Sequence, residues 1–263
     1  MNEIEERFEE AQRIARAAAA LALDYFGRRD ELEIEHKGKQ DLVSIADKEV
    51  ENLIRHELER LFPDDAILGE EGGGSDASRL WVIDPIDGTS NFLRGIPLWG
   101  VLLAYVVDGV TEIGITVLPC QNELYAARRG HGATCNGRPI RVSGHDRTEE
   151  CCALISFSFK QPREQITEAV GRLYDLGVDQ RRVGSSAVNL AWVADGRVDM
   201  VVLVSCNSWD CLPGLLLVEE AGGIATRYTA DGTSLVDRRP VAACTPAIVA
   251  EVSSIQPGLG LER

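Results

Sequence analysis

Two long apolar runs, residues 99–107 and 111–118, stand either side of Asp108-Gly109. Such a dipeptide between apolar runs is a hairpin signal. A run at 123–127 and a second tight-turn pair, Asn136-Gly137, extend the pattern. The middle of the chain therefore reads as a largely antiparallel meander. Ahead of it, residues 3–27 have the spacing of an amphipathic helix ending at Gly27, and residues 32–36 alternate as a short strand would. Ser44 and Asp47 form a capping box that starts a helix running to about Leu61, and residues 66–68 read as a short buried strand. The second half changes character. Strands at 152–157, 198–204, 224–228 and 241–244 alternate with helices at 163–175, 186–195, 210–221 and 246–254, which predicts α/β layering. The 263 residues have ample room for a core. We expect a single unit over 1–263 with two packed lobes, α+β over about 1–145 and α/β over about 146–263.

Charge and cysteine usage narrow the class. The net charge is −15, from 27 basic and 42 acidic residues, so a broad phosphate-contacting surface for nucleic acid is not expected. Seven cysteines are an odd number, none forms a CxxC pair, and the four histidines are scattered. Neither a zinc site nor a disulfide framework is suggested, and free thiols fit a cytoplasmic protein. The start, MNEIEERFEE, is acidic and unlike a secretory leader, and the run AAAALAL is too short to span a bilayer. No membrane partner is expected.

The chemistry concentrates in acids. In residues 81–92, WVIDPIDGTSNF, an apolar run ends in Asp84 and Asp87 on either side of Pro85-Ile86. Proline cannot donate to a sheet ladder, so it is expected to end the strand there. The turn can then bring both acids and the Ile86 carbonyl to one point. Two bare carboxylates side by side repel, and a shared hard cation removes that penalty. If a short helix starts at Gly88-Thr89, its first N–H groups lack internal partners and could face an anion. The alternative is that Asp87 simply caps this helix. Glu70-Glu71, ahead of Gly72-Gly73-Gly74, reads as solvated surface or as a further ligand. Asp210 sits where an N-cap would, with Pro213 offering no N–H for that cap to bind, which frees Asp210 to turn outward to a metal. Asp47 has its capping role. Cys206 and Cys211 flank Asp210 without a base partner and read as packing.

Taken together, five segments resemble one family, the magnesium-dependent inositol monophosphatases. They are KGKQDLVSIAD (37–47), GEE (69–71), DPIDGTSNF (84–92), VGSSAVNL (183–190) and WD followed by a glycine (209–214), and the resemblance covers nearly the whole chain. It implies an αβαβα sandwich of the inositol monophosphatase / fructose-1,6-bisphosphatase type, usually a homodimer. It also implies roles. Glu70, Asp84 and the Ile86 carbonyl would hold one Mg2+; Asp84, Asp87 and Asp210 would hold a second. Two or three ions are expected in all, and Li+ is expected to inhibit. Glu70 and Thr89, helped by Asp47, would orient and deprotonate the attacking water. The Gly88 and Thr89 amides would grip the phosphate of a small ester. Ser185 and Ser186 belong to the segment that lines the substrate, which Asp210 also contacts.

The resemblance implies inositol-1-phosphate as the default substrate, but two places depart from it. Leu203 occupies the position, seven before the motif aspartate, where inositol-hydrolysing members usually carry an acid that grips ring hydroxyls. A Leu203→Glu change is therefore expected to raise activity on inositol phosphate, and Ser205 to Asn207 could supply other contacts. The run with Arg94 and Trp99 is similar to one in histidinol-phosphate phosphatases, although those often carry lysine where this chain has Ser90. Arg94 could equally be a surface or dimer contact. A further alternative is an accessory factor in an RNA-polymerase or ribosome-maturation complex, a role some similar family members have.

Overall fold

Buried strands alternate their side chains between two faces, and here each face meets a separate core. On the strand Arg79–Asp87, Leu80 and Val82 point into one apolar cluster while Trp81 and Ile83 point into another. The next strand, Gly100–Val107, does the same with Leu102, Ala104 and Val106 against Val101, Leu103 and Tyr105. This is why these runs are continuously apolar although their sheet is mostly antiparallel: both faces are covered.

The structure is a computed structural model that describes residues 3–29, 34–38, 41–157, 161–229, 232–256 and 258–261, the side chains of 34–38 and 41–43 excepted. The order is α1 (Glu3–Gly27), β1 (Ile34–Gly38), β2 (Asp41–Ser44), α2 (Ile45–Leu61), β3 (Ala66–Gly69), β4 (Arg79–Asp87), α3 (Thr89–Leu93), β5 (Gly100–Val107), β6 (Val110–Leu118), β7 (Glu123–Arg128), β8 (Ala133–Cys135) and β9 (Arg138–Pro139). Then come β10 (Cys152–Ser156), α4 (Arg163–Asp175), β11 (Asp179–Arg181), α5 (Ser186–Ala194), β12 (Met200–Cys206), α6 (Ser208–Glu220), β13 (Ile224–Ala225), β14 (Arg239–Cys244) and α7 (Val249–Ser253). Of the strand expected over 32–36, residues 32 and 33 lie outside the described residues, as do Lys39 and Gln40 of the 37–47 motif.

A seven-stranded sheet, β3 to β9 in sequence order, is parallel only at β3–β4. A five-stranded sheet has the order β11-β10-β12-β14-β13, parallel through β11-β10-β12 and antiparallel beyond. Helices α1 and α2 cover the outer face of the first sheet, α5 and α6 fill the space between the sheets, and α4 and α7 cover the outer face of the second. The result is an αβαβα sandwich. Residues 211–218 of helix α6 are all apolar and buried, because this stretch lies in the core between the two sheets. Chain passes from the first sheet to the second between Pro139 and Cys152. No described helix is long and apolar enough to cross a membrane.

Candidate metal centre

Asp84 and Asp87 are an odd number of residues apart, so a regular strand would point them to opposite faces. The register with β5 slips between them: Asp84 pairs with Leu102 and Asp87 with Gly100. Three steps on β4 oppose two on β5, which is a β-bulge at Pro85-Ile86. The strand thus continues through Pro85 instead of ending there. The missing proline N–H is accommodated by the bulge, and the extra residue turns both acids to the same side. Ile86 is buried in the core beneath them.

Strand β3 lies parallel to β4 with Gly69 opposite Ile83, so Glu70 emerges beside Asp84. Carboxylate oxygens of Glu70, Asp84 and Asp210 all lie within 4.8 Å of one another. The Glu70 carboxyl stands close enough to Asp84 to favour the protonated form of Asp84. Burial holds Asp84 well above the usual carboxylate range, and the charges of Glu70, Asp87 and Asp210 push it further. Asp87 is pushed up to about 7 by burial and then by Asp210, against opposing hydrogen bonds from Ser185, Ala187 and Ser186. Asp210 is also raised by burial. A convergent, all-oxygen, proton-holding cluster has the donor chemistry that a hard divalent cation requires.

A residue that local reasoning missed holds Glu70 in place. Glu51 on α2 is buried, and its two carboxylate oxygens accept from the Glu71 and Gly72 N–H groups at 2.9 and 2.7 Å. Arg55, one turn on, donates to Glu51 Oε1 and to the Gly73 carbonyl. In the sequence the two residues are only an i,i+4 acid–base pair, with nothing adjacent to link them to Glu70. A Cβ at Gly69 or Gly72 would stand within 2.7 Å of these side chains, so the turn approaches them as only glycine can. Glu51→Ala is expected to raise the Mg2+ requirement or cut turnover about ten- to hundredfold. The check is the Mg2+ concentration for half-maximal phosphate release; an unchanged value with unchanged turnover would mean the turn holds without Glu51.

Helix α3 does begin after the acids, but its cap is Gly88 at φ 94°, not Asp87. The Asp87 carboxylate turns instead to the start of α5. It accepts from the Ser185 hydroxyl, from the Ala187 N–H at 2.8 Å and from the Ser186 N–H. Ser185 in turn caps α5 by accepting from Val188 N–H at 3.2 Å. Both serines thus hold Asp87 in position. The capping box at α2 is present, with Asp47 Oδ2 accepting from the Ser44 N–H and hydroxyl. Its other oxygen, Oδ1, is 3.3 Å from the Thr89 hydroxyl, which also stands 3.1 Å from the Ile86 carbonyl. Asp47 therefore caps its helix and faces Thr89 together. Burial raises it to about 6.

The profile of the inositol monophosphatase family matches residues 3–256. The chain belongs to that family. It is 35% identical over 257 residues to the Nus factor SuhB of Haemophilus influenzae, covering 96% of each chain. It is 36% identical over 230 residues to the fructose-1,6-bisphosphatase/inositol-1-monophosphatase of Thermotoga maritima, covering 85% of this chain and 86% of that one. The extragenic suppressor protein suhB of Bartonella henselae superposes with a TM-score of 0.85 at 30% identity, covering 94% of this chain and 96% of that one. Family, fold and carboxylate cluster together support a metal-dependent phosphomonoesterase.

At three positions of this family member the structure corrects the expectations from sequence. Asp210 is not the N-cap of α6. The helix starts two residues earlier, Asn207 caps it, and Asp210 is the third helical residue of a capping box whose Oδ2 accepts from the Asn207 N–H and side-chain amide at 3.0 and 3.1 Å. Pro213 lies well inside the helix, so its missing N–H has no bearing on the cap. Leu203 does not line the site: it is 1% exposed in the core between the sheets, because strand alternation turns it toward α5 and α6. Trp99 is fully buried against Phe26 and Phe92, so it is core as well. Arg94 folds back onto the Ser90 carbonyl and hydroxyl. Cys206 and Cys211 are buried thiols raised by burial, with Cys206 Sγ 3.7 Å from Asp210 Oδ2.

Proposed function

We propose that this protein hydrolyses a small phosphate monoester with Mg2+, inositol-1-phosphate being the family's default substrate. The observation that carries the reading is the convergence of Glu70, Asp84 and Asp210 within 4.8 Å. Glu70, Asp84 and the Ile86 carbonyl would hold one ion, and Asp84, Asp87 and Asp210 a second. Bound there, Mg2+ supplies an acidified water and neutralises charge on the phosphate oxygens. The chain's own residues do the rest. Ionised Asp47 accepts a hydrogen bond from the Thr89 hydroxyl, which leaves the Thr89 oxygen free to accept a hydrogen bond from the attacking water. Glu70 takes the one proton that the water loses as it attacks. The Gly88 and Thr89 amides are assigned to the phosphate oxygens; water attacks phosphorus opposite the ester oxygen, the ester P–O bond breaks, and the departing alkoxide takes a proton from solvent. The reading includes a cytoplasmic homodimer inhibited by Li+. The Arg94–Trp99 basis for histidinol phosphate is weakened by the burial of Trp99.

The test is phosphate release from inositol-1-phosphate and histidinol phosphate, with Mg2+ and with a chelator. Chelator-sensitive release from inositol-1-phosphate is expected; release unaffected by the chelator would overturn the metal reading. A second reading rests on the relative named Nus factor SuhB: an accessory role in an RNA-polymerase or ribosome-maturation complex. An Asp210→Asn protein that keeps its partners in a pull-down while losing phosphatase activity would favour it.

A further inference from the structure

Arg238 is exposed and lies just before β14, one residue ahead of Arg239. Its Nε donates to the Ser205 hydroxyl at 3.2 Å, one terminal nitrogen to Asn207 Oδ1 at 3.1 Å, and the other to the Ser205 carbonyl at 3.3 Å. Those three bonds leave about two of the five guanidinium N–H groups, one on each terminal nitrogen. All three acceptors are neutral, so the clamp fixes the guanidinium without cancelling its charge. Among the described residues no carboxylate forms an ion pair with Arg238, in a chain of net charge −15.

The position of this charge matters as much as its freedom. Asn207 accepts from Arg238 through Oδ1 and donates through Nδ2 to Asp210 Oδ2. Arg238 is therefore one side chain away from the carboxylate cluster, near enough that its charge opposes the burial that raises Asp210. The loop before it is pinned across the sandwich: Asp76 accepts from the Ser234 hydroxyl at 2.5 Å and the Leu235 N–H at 3.2 Å. At the same time Leu203 is buried, so no acid at that position faces a polyol. The flank of the cluster beside Asp210 presents a fixed cation.

Building on the phosphatase reading, we propose that Arg238, held by Ser205 and Asn207, is an anion subsite that selects phosphate esters carrying a second anionic group, a carboxylate or another phosphate. A planar guanidinium with N–H groups on both terminal nitrogens suits either.

The experiment uses two matched pairs with Mg2+: glycerol 2-phosphate against 2-phosphoglycerate, and fructose 1-phosphate against fructose 1,6-bisphosphate. Wild type should favour the doubly anionic member of at least one pair in KM, and which pair responds identifies the second anion. Arg238→Ala should reduce that preference about ten- to hundredfold, the worth of a charge-assisted bond, and Arg238→Lys should restore part of it. Equal KM values within both wild-type pairs would overturn the subsite. So would a loss of kcat in Arg238→Ala that is the same for both members, since that is the mark of a residue acting only through Asn207 on Asp210. Inositol-1-phosphate is run alongside: release from it but from none of the four overturns the subsite and spares the phosphatase reading, whereas release from none of the five counts against that reading, and the subsite is then judged by thermal shift. A rise in melting temperature with fructose 1,6-bisphosphate or 2-phosphoglycerate, absent in Arg238→Ala, supports it; no rise overturns it.

Discussion

Asp84→Asn should cut Mg2+-supported phosphate release by about a thousandfold or more and should raise the melting temperature of the metal-free protein. The two effects have one cause. In the folded protein Asp84 is held well above its ordinary range, Asp87 sits at about 7, Asp47 at about 6, and Asp210 is raised as well. The folded state therefore holds more protons than the unfolded chain between the ordinary carboxylate range, about 4, and these raised values. Stability then falls as pH rises through that window, and the penalty is complete only once the pH has passed the raised values. Metal-free protein should melt highest near the acid end of this range. Asp84→Asn should flatten the fall, because it removes a buried charge and the repulsion of its neighbours. Each kcal/mol relieved is worth about 2–4 °C. Added Mg2+ should stabilise the wild type most at neutral pH, where the carboxylates need a cation. Melting curves of both proteins from pH 5 to 8, with and without Mg2+, decide the matter. A metal-free Asp84→Asn protein less stable than wild type at pH 7.5, or one with near-normal turnover, would contradict it.

Leu203→Glu should fail to fold or lose more than about 4 kcal/mol, with no gain on inositol phosphate. The family resemblance suggested the reverse, that a glutamate here would grip ring hydroxyls. But Leu203 pairs with Ser156 on β10 and Val241 on β14, and its side chain enters the core between the sheets. A carboxylate there has neither water nor a cation to meet it. Leu203→Met, which keeps the volume, should cost less than about 1.5 kcal/mol and so controls for crowding. Soluble yield and urea midpoints are the measurements. A stable Leu203→Glu protein with faster inositol phosphate turnover would show that β12 is repositioned when the site is in use.

These outcomes separate what was legible locally from what was not. The capping box at Ser44–Asp47, the hairpin at Asp108-Gly109 and the meander were readable because turn and cap chemistry depend on a few adjacent residues. The acids of the 81–92 stretch and Glu70 were readable by type and order for the same reason. The short strand β11 was missed, since three polar residues, Asp179–Arg181, carry no apolar signal. Position was harder. Period-two reasoning sends Asp84 and Asp87 to opposite faces, and only the pairing of β4 with β5 reveals the bulge that reunites them. Glu51 carries no local signal of its role, which appears only where α2 packs beside the turn after Glu70 and its carboxylate accepts from the Glu71 and Gly72 N–H groups. In β12 both faces are apolar, so nothing in residues 200–204 marks which face meets solvent or site; the sandwich on both sides buries Leu203. The sequence by itself determined which groups the chain owns and the local turns that present them. The tertiary structure alone decided which of them meet, because strand register and layer packing are set by contacts between residues far apart in the chain.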